Sequence, residues 1–212
     1  PGEKLAQTPM LALLLCGRRT PESWSSNAES VDFYDMKGEI EAMLQASDQA
    51  LTFRGAVRSG LHDGQTAEIL LGDEVVGIMG RLHPSQAKTL NLPEQTLVAE
   101  LELAAVVGRA LPDYEEISKF PEVRRDIAVI VSRETPSGAV LDAARGSAGA
   151  TLAEARIFDV YEGRGVAENE KSLAIGLTFR DQSRTLTDEE ISESLAQVIE
   201  SLGEMLGARL RH

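Results

Sequence analysis

Residues 171–179, KSLAIGLTF, restrict the fold of this chain more than any other segment. Leu173, Ile175, Leu177 and Phe179 occupy one phase of a strict alternation, and Ser172, Ala174, Gly176 and Thr178 the other. A period of two is the signature of a strand with one face buried. The second phase holds only small residues, so that face admits close approach by another backbone or molecule. Whatever surrounds this strand has to cover one side and can leave the other open.

The flanking segments supply the cover. Residues 126–131 read as a strand with Ile127, Val129 and Val131 inward. Thr135 and Pro136 mark a helix start, and Gly146 marks its expected end. Residues 152–161 read as a further strand whose facing stays open, because both phases contain apolar side chains. Thr187 and Glu190 form a capping box ahead of Ile191, Leu195, Val198, Ile199, Leu202 and Leu206, which recur at helical spacing until Gly207. ARLR closes the chain as a short strand with Leu210 inward and Arg209 and Arg211 on the open side. Strand, helix, strand, strand, helix, strand is the ferredoxin-like βαββαβ order, with helices on one sheet face only.

The region before it is α+β as well. Strands are expected at 10–16 and 96–102, a helix at 33–45 from Asp32, a hairpin pairing 66–71 with 74–80 around Gly72 and Asp73, and a short helix after Pro84. Hairpin-joined strands with helices to one side predict an antiparallel layer. Two prolines in LPDYEEISKFPEV set the expected boundary near residue 117, giving units 1–117 and 118–212.

Charge and cysteine content narrow the function classes. The net charge of −13 excludes a general nucleic-acid binder, DNA included, since such binding relies on Lys and Arg neutralising phosphates. The imbalance is uneven: nine Lys and Arg face eighteen Asp and Glu in 1–117, but twelve face sixteen in 118–212. Six of those sixteen, from Asp188 to Glu204, lie in one basic-free stretch, so a local basic surface is compatible with the remainder. Cys16 is the sole cysteine, which rules out an internal disulfide and a thiolate cluster and suits a reducing cytoplasm. The apolar run Met10–Cys16 is too short to span a membrane. Pro1 is not a translation start, so a fragment of a longer polypeptide is expected.

No catalytic or metal constellation emerges. His62 and Asp63 lack a nucleophile elbow and read as turn residues, and His62 and His83 lack companions at ligand spacing. Gly77 and Gly80 sit on a hairpin arm rather than opening a helix, so Gly80 reads as a close-packing position instead of a phosphate cradle. Trp24 is expected to anchor its polar loop. In FRDQSRTLTDEE, Arg180, Gln182, Ser183 and Arg184 bring donors together before a capped helix, suited either to an anionic oxygen or to local acids such as Asp181.

SKFPEVRRDIAVIV, FDVYEGRGV, KSLAIGLTF and DQSRTLT resemble the C-terminal ferredoxin-fold anticodon-binding domain of the bacterial phenylalanyl-tRNA synthetase β subunit. VDFYDMKGEIEAML, LHDGQTAEILL and VGIMGRLHPSQAKTL are similar to the later part of that subunit's class II synthetase-like module. The resemblance implies a parent ligase that joins phenylalanine to tRNA(Phe) with ATP and Mg²⁺ as an α2β2 tetramer, its chemistry in the α subunit. The catalytic subunit carries a glycine-rich segment ending in an ATP-holding arginine; the corresponding LVAELELAAVV has neither, which implies a non-catalytic fragment without cofactor. Asp63 stands where the family usually has proline, which is expected to loosen a turn.

The same resemblance implies an RNA-contacting set: Arg124, Arg125, Arg180, Ser183, Arg184, Arg209 and Arg211 toward phosphates, with Phe158 and Tyr161 as aromatic candidates for stacking. Asp126 is expected to fix an arginine. A rival reading is a purely structural element that only holds subunits together, and a third is a small-molecule sensor built on the ferredoxin-like fold.

Overall fold

A computed structural model describes all residues except 1–6, 26, 46, 48, 109–117 and 212. The chain divides into two compact units, residues 1–114 and 115–212. The expected boundary near 117 falls outside the described residues.

The first unit is an antiparallel sheet of five strands in the order β1-β5-β4-β3-β2: β1 (Met10–Leu15), β2 (Leu51–Gly55), β3 (Leu61–Leu71), β4 (Glu74–Leu82) and β5 (Leu97–Glu102). Helix α1 (Phe33–Leu44) packs on one face. Asp32 caps it, accepting from the Tyr34 and Asp35 amides while Asp35 returns a bond to the Asp32 amide. Its Met36, Ile40 and Leu44 join Ile69, Met79, Leu97 and Leu101 in the core. Arg19 adds a tie that periodicity cannot reveal: it reaches Glu29, Asp32 and Asp35 at 3.1, 2.9 and 2.9 Å, fastening the preceding loop to the start of α1. Those carboxylates hold its pKa above the ordinary arginine value, Asp35 foremost.

The hairpin turns at Gly72 and Asp73 as expected, and Gly77 and Gly80 are close-approach positions. A β-carbon on Gly77 would stand 2.5 Å from the Glu100 carbonyl oxygen, and one on Gly80 2.8 Å from that of Gln65. The short helix after Pro84 is present, and three other expectations need correction. Strand β2 and helix α3 (Leu103–Val107) are present where none was expected, both too short for a clear period. His62 and Asp63 lie in β3, in an irregular stretch between the Leu61 and Thr66 pairings, because the turn comes earlier, at Arg58–Leu61 with Gly60 at φ 88°. Helix α2 (Pro84–Thr89) is capped by His83, whose Nδ1 accepts from the Ser85 amide. Trp24 anchors nothing; it is 99% exposed.

The second unit is the expected βαββαβ: β6 (Val123–Ser132), α4 (Ser137–Ala148), β7 (Leu152–Tyr161), β8 (Glu170–Phe179), α5 (Asp188–Leu206) and β9 (Arg209–Leu210), with sheet order β7-β8-β6-β9, all neighbours antiparallel. The strict alternation sits on the central strand β8. Leu173, Ile175, Leu177 and Phe179 are fully buried beneath α4 and α5, a burial worth about 1.5–3 kcal/mol for each. The capping box at Thr187 and Glu190 is present, and Gly207 ends α5 in the left-handed conformation at φ 62°. Helix α4 runs past Gly146 to Ala148, and Gly149, at φ 64°, follows it. Glycine within a helix costs only about 1 kcal/mol relative to alanine, too little to stop one whose Val140, Ala143, Ala144 and Ala148 are buried.

Candidate nucleic-acid interface

The sheet face turned away from α4 and α5 is a lattice of four rows, fixed by strand register. Glu154, Thr178 and Arg124 share one row; Arg156, Gly176 and Asp126 the next; Asp159, Ala174 and Ala128 the third; Tyr161, Ser172, Ile130 and Arg209 the fourth. Small residues of β8 form the floor, as the sequence predicts. They are not bare, however: Gly176 is buried and Ser172 is 3% exposed, beside longer side chains of β6 and β7.

Arg124 is one of those side chains. Its guanidinium passes over Gly176, donates from Nε to Asp126 at 2.8 Å, and lies 5.4 Å from the centroid of the Phe158 ring. Asp126 thus fixes an arginine, as expected. Arg211 does the equivalent at the other end, with its guanidinium 4.4 Å over the Tyr161 ring while the Tyr161 hydroxyl donates to the Arg164 carbonyl at 3.2 Å. Arg209 pairs with Glu170 at 2.6 Å. Phe158 is 51% exposed and Tyr161 half-buried, and neither belongs to the core.

Phe158 and Tyr161 share this face only because β7 is bulged. Three residues apart on a regular strand, they would point to opposite sides. The register shifts between Ile157 and Asp159, inserting Phe158 as an extra residue and restoring the phase. The bulges explain why the facing of 152–161 is unreadable from the sequence. They also hid Arg156, which lies on the open face opposite Gly176, exposed, and without an ion pair among the described residues. Among the described residues of these rows, four arginines meet four carboxylates, Glu154, Asp126, Asp159 and Glu170, so the face is charge-balanced rather than basic.

The remaining candidates form a separate group. The strand begins at Val123, three residues earlier than expected, so Arg124 and Arg125 lie inside β6 and alternate to opposite faces. Arg125 turns to the helix side and reaches Asp188 at 3.1 Å. Arg180 pairs with Glu122 at 2.7 Å. In the loop before α5, Asp181 accepts from the Ser183 amide and hydroxyl, both at 2.7 Å, and from the Arg184 amide at 3.2 Å. Arg184 clasps Glu190 in a bidentate pair at 2.7 and 2.6 Å. That pair, with the Thr187 amide, holds Glu190 down to about 2, and the Ser183 hydroxyl lowers Asp181. The loop donors converge as expected, but on the chain's own carboxylates. No convergence of all nine candidates exists: five share the open face and four line the strand ends and the α5 entry.

Comparison with known proteins gives this arrangement a family. Residues 118–211 match the ferredoxin-fold anticodon binding domain, and residues 1–103 match the phenylalanyl tRNA synthetase beta chain CLM domain. The phenylalanine–tRNA ligase beta subunit of Pseudomonas syringae pv. tomato is 44% identical over 209 residues, covering 98% of this chain and 26% of the relative. Those of Hahella chejuensis and Vibrio vulnificus are 43% identical over 210 residues and 39% over 209, covering 99% and 98% of this chain and 27% and 26% of each relative. The chain spans about a quarter of the length of the curated relatives it matches. With one family matching the four-stranded unit and another the five-stranded one, the chain belongs to the phenylalanine–tRNA ligase beta subunit family.

Proposed function

We propose that residues 118–211 bind the anticodon stem-loop of tRNA(Phe) on the open sheet face, as part of a cytoplasmic ligase that uses ATP and Mg²⁺ and assembles with an α subunit as α2β2. The five-stranded unit supports the catalytic partner and performs no turnover itself; β5 and α3 carry neither glycine nor arginine, so the cation needed to stabilise ATP phosphates is missing from that segment.

The observation that carries this reading is the pairing of cation and ring on one face: Arg124 against Phe158 and Arg211 against Tyr161, with Arg156, which has no ion pair among the described residues, between them. Unstacked loop bases are held on aromatic and guanidinium planes, and adjacent phosphates by arginine. The Arg184 and Arg180 pairs lie at the surface, where either guanidinium can exchange a carboxylate for a phosphate.

The test is fluorescence anisotropy of a labelled tRNA(Phe) anticodon stem-loop with the full chain, from about 50 to 200 mM salt. Arg124→Ala, Arg156→Ala and Arg184→Ala are compared with the unaltered protein. Affinity should fall with salt and with loss of Arg124 or Arg156; affinity indifferent to salt and to all three substitutions rejects the reading.

A further inference from the structure

The five-stranded unit carries a solvent-facing apolar patch on the sheet face away from α1. Edge strand β1 contains no charged residue and turns Met10, Ala12 and Leu14 to that side, with Met10 43% and Leu14 52% exposed. Leu14, Leu61, Ile78 and Val98 surround a hollow of about 430 Å³, and Arg58 and Glu100 stand beside them. The register places these residues: Ala12, Glu100, Ile78, Glu68 and Arg54 form one row across the sheet, and Leu14, Val98, Gly80 and Thr66 the next. Glu68 is neutralised within its row by Arg54 at 2.8 Å. Arg58 and Glu100 have no ion pair among the described residues, either with each other or with another group.

An apolar patch that bears one cation and one anion, neither neutralised within the described residues, is complementary to itself. A two-fold axis lying in the plane of the interface, midway between the two charges, brings each Arg58 opposite the Glu100 of a second copy, whatever their separation along the sheet. The same operation sets the two apolar floors against each other, as sheets pack face to face. Other occupants leave something unmatched. A wholly apolar surface would strip water from both charges with nothing in return. A uniformly basic or acidic surface would satisfy one charge and oppose the other. We propose that this face is an isologous contact between two copies of the chain, with Leu14, Ile78 and Val98 of the two copies packed together and a symmetry-related pair of Arg58 to Glu100 bridges flanking them.

This face shares no residue with the open sheet of the second unit, so success or failure here is independent of RNA binding. The experiment is sedimentation equilibrium of the full chain from about 1 to 500 μM. A reversible monomer–dimer equilibrium with a dissociation constant below about 100 μM is expected, in the range of small, transient interfaces. Every substitution acts twice across the axis. Leu14→Asp and Arg58→Glu should each weaken association about tenfold or more. Lys88→Glu, in α2 and outside the hollow, changes the net charge by the same amount as Arg58→Glu and should leave the dissociation constant within about twofold. The double exchange of Arg58→Glu with Glu100→Arg keeps the net charge at −13 and re-forms both bridges in reverse, so association should return to within about threefold of the unaltered chain. All four altered residues are exposed, and far-UV circular dichroism confirms that each variant folds. A chain that stays monomeric throughout the range overturns the proposal and leaves the face to a different protein. So does association that ignores Leu14→Asp and Arg58→Glu, that falls equally with Lys88→Glu, or that stays as weak in the double exchange as in Arg58→Glu alone.

Discussion

The Arg124 guanidinium occupies the space that a side chain on Gly176 would fill: a β-carbon there would stand 2.8 Å from Nη2. One residue's lack of a side chain therefore sets the position of the other. Gly176→Val should push Arg124 off the sheet and away from Phe158, because the obstructing atoms are the flexible end of a side chain rather than backbone. The fold should survive, with melting close to that of the unaltered protein. Anticodon stem-loop affinity should drop about 3- to 30-fold, as in Arg124→Ala, the range expected for a lost stacking or cation–π contact. Unchanged affinity in Gly176→Val would separate Arg124 from RNA binding.

The balance of four arginines and four carboxylates predicts a shallow salt dependence. Each neutralised phosphate of a single strand contributes a slope of about 0.7 in log K against log salt. A face on which Arg156 and Arg211 have no carboxylate partner among the described residues should give a slope of about 1–2, against the much larger values of basic binders. Arg156→Ala should reduce it by about 0.7, and Arg209→Ala, which removes a cation already paired with Glu170, by less. Anisotropy titrations across the salt series measure both.

Glu190 links the α5 cap to pH. Its carboxylate sits at about 2 in the folded chain, chiefly through the Arg184 bond, against an ordinary 4.5. The ionised form is therefore the one that stabilises the fold. Its contribution should be complete above pH 4.5, decline as the pH falls toward 2, and vanish below that. Asp181, lowered chiefly by the Ser183 hydroxyl, acts in the same direction. Glu190→Gln should lower the melting temperature at neutral pH and flatten its dependence between pH 2 and 4.5. Thermal melts over that range supply the check, and an unchanged slope would show that the pair carries no linkage.

The second unit was legible because each of its signals is local. Alternation in β8, the capping box at Thr187 and the spacing from Ile191 to Leu206 depend on neighbours in sequence, and those elements appear as predicted. The site was less legible because its geometry depends on phase. The start of β6 at Val123, three residues before the expected one, sends Arg124 and Arg125 to opposite faces, and one extra residue at Phe158 brings it to the face of Tyr161. A bulge changes facing without changing composition, so periodicity cannot register it. Ion pairs such as Arg125 with Asp188, 63 residues apart, lie beyond any local pattern. Trp24 shows the converse, since a large apolar side chain in a polar loop suggests an anchor only if a core lies beneath it.

Two glycine substitutions should move stability in opposite directions, for reasons that sequence position alone does not supply. Gly77 lies where β4 meets β5, and a β-carbon there would stand 2.5 Å from the Glu100 carbonyl oxygen and 3.0 Å from the Leu101 α-carbon, both backbone atoms of a central pairing. Gly77→Ala must spread the strands, so a loss of about 1–3 kcal/mol is expected. Gly146 lies inside α4 with nothing within 4 Å of its would-be β-carbon. Gly146→Ala removes conformational freedom from the unfolded chain at no steric cost, so a gain of about 0.5–1 kcal/mol is expected. Urea unfolding of each variant measures both, with far-UV circular dichroism for helix content. If Gly146→Ala destabilises the protein, α4 ends at Gly146 rather than at Ala148, and the packing of Ala148 in the core has to be abandoned with it.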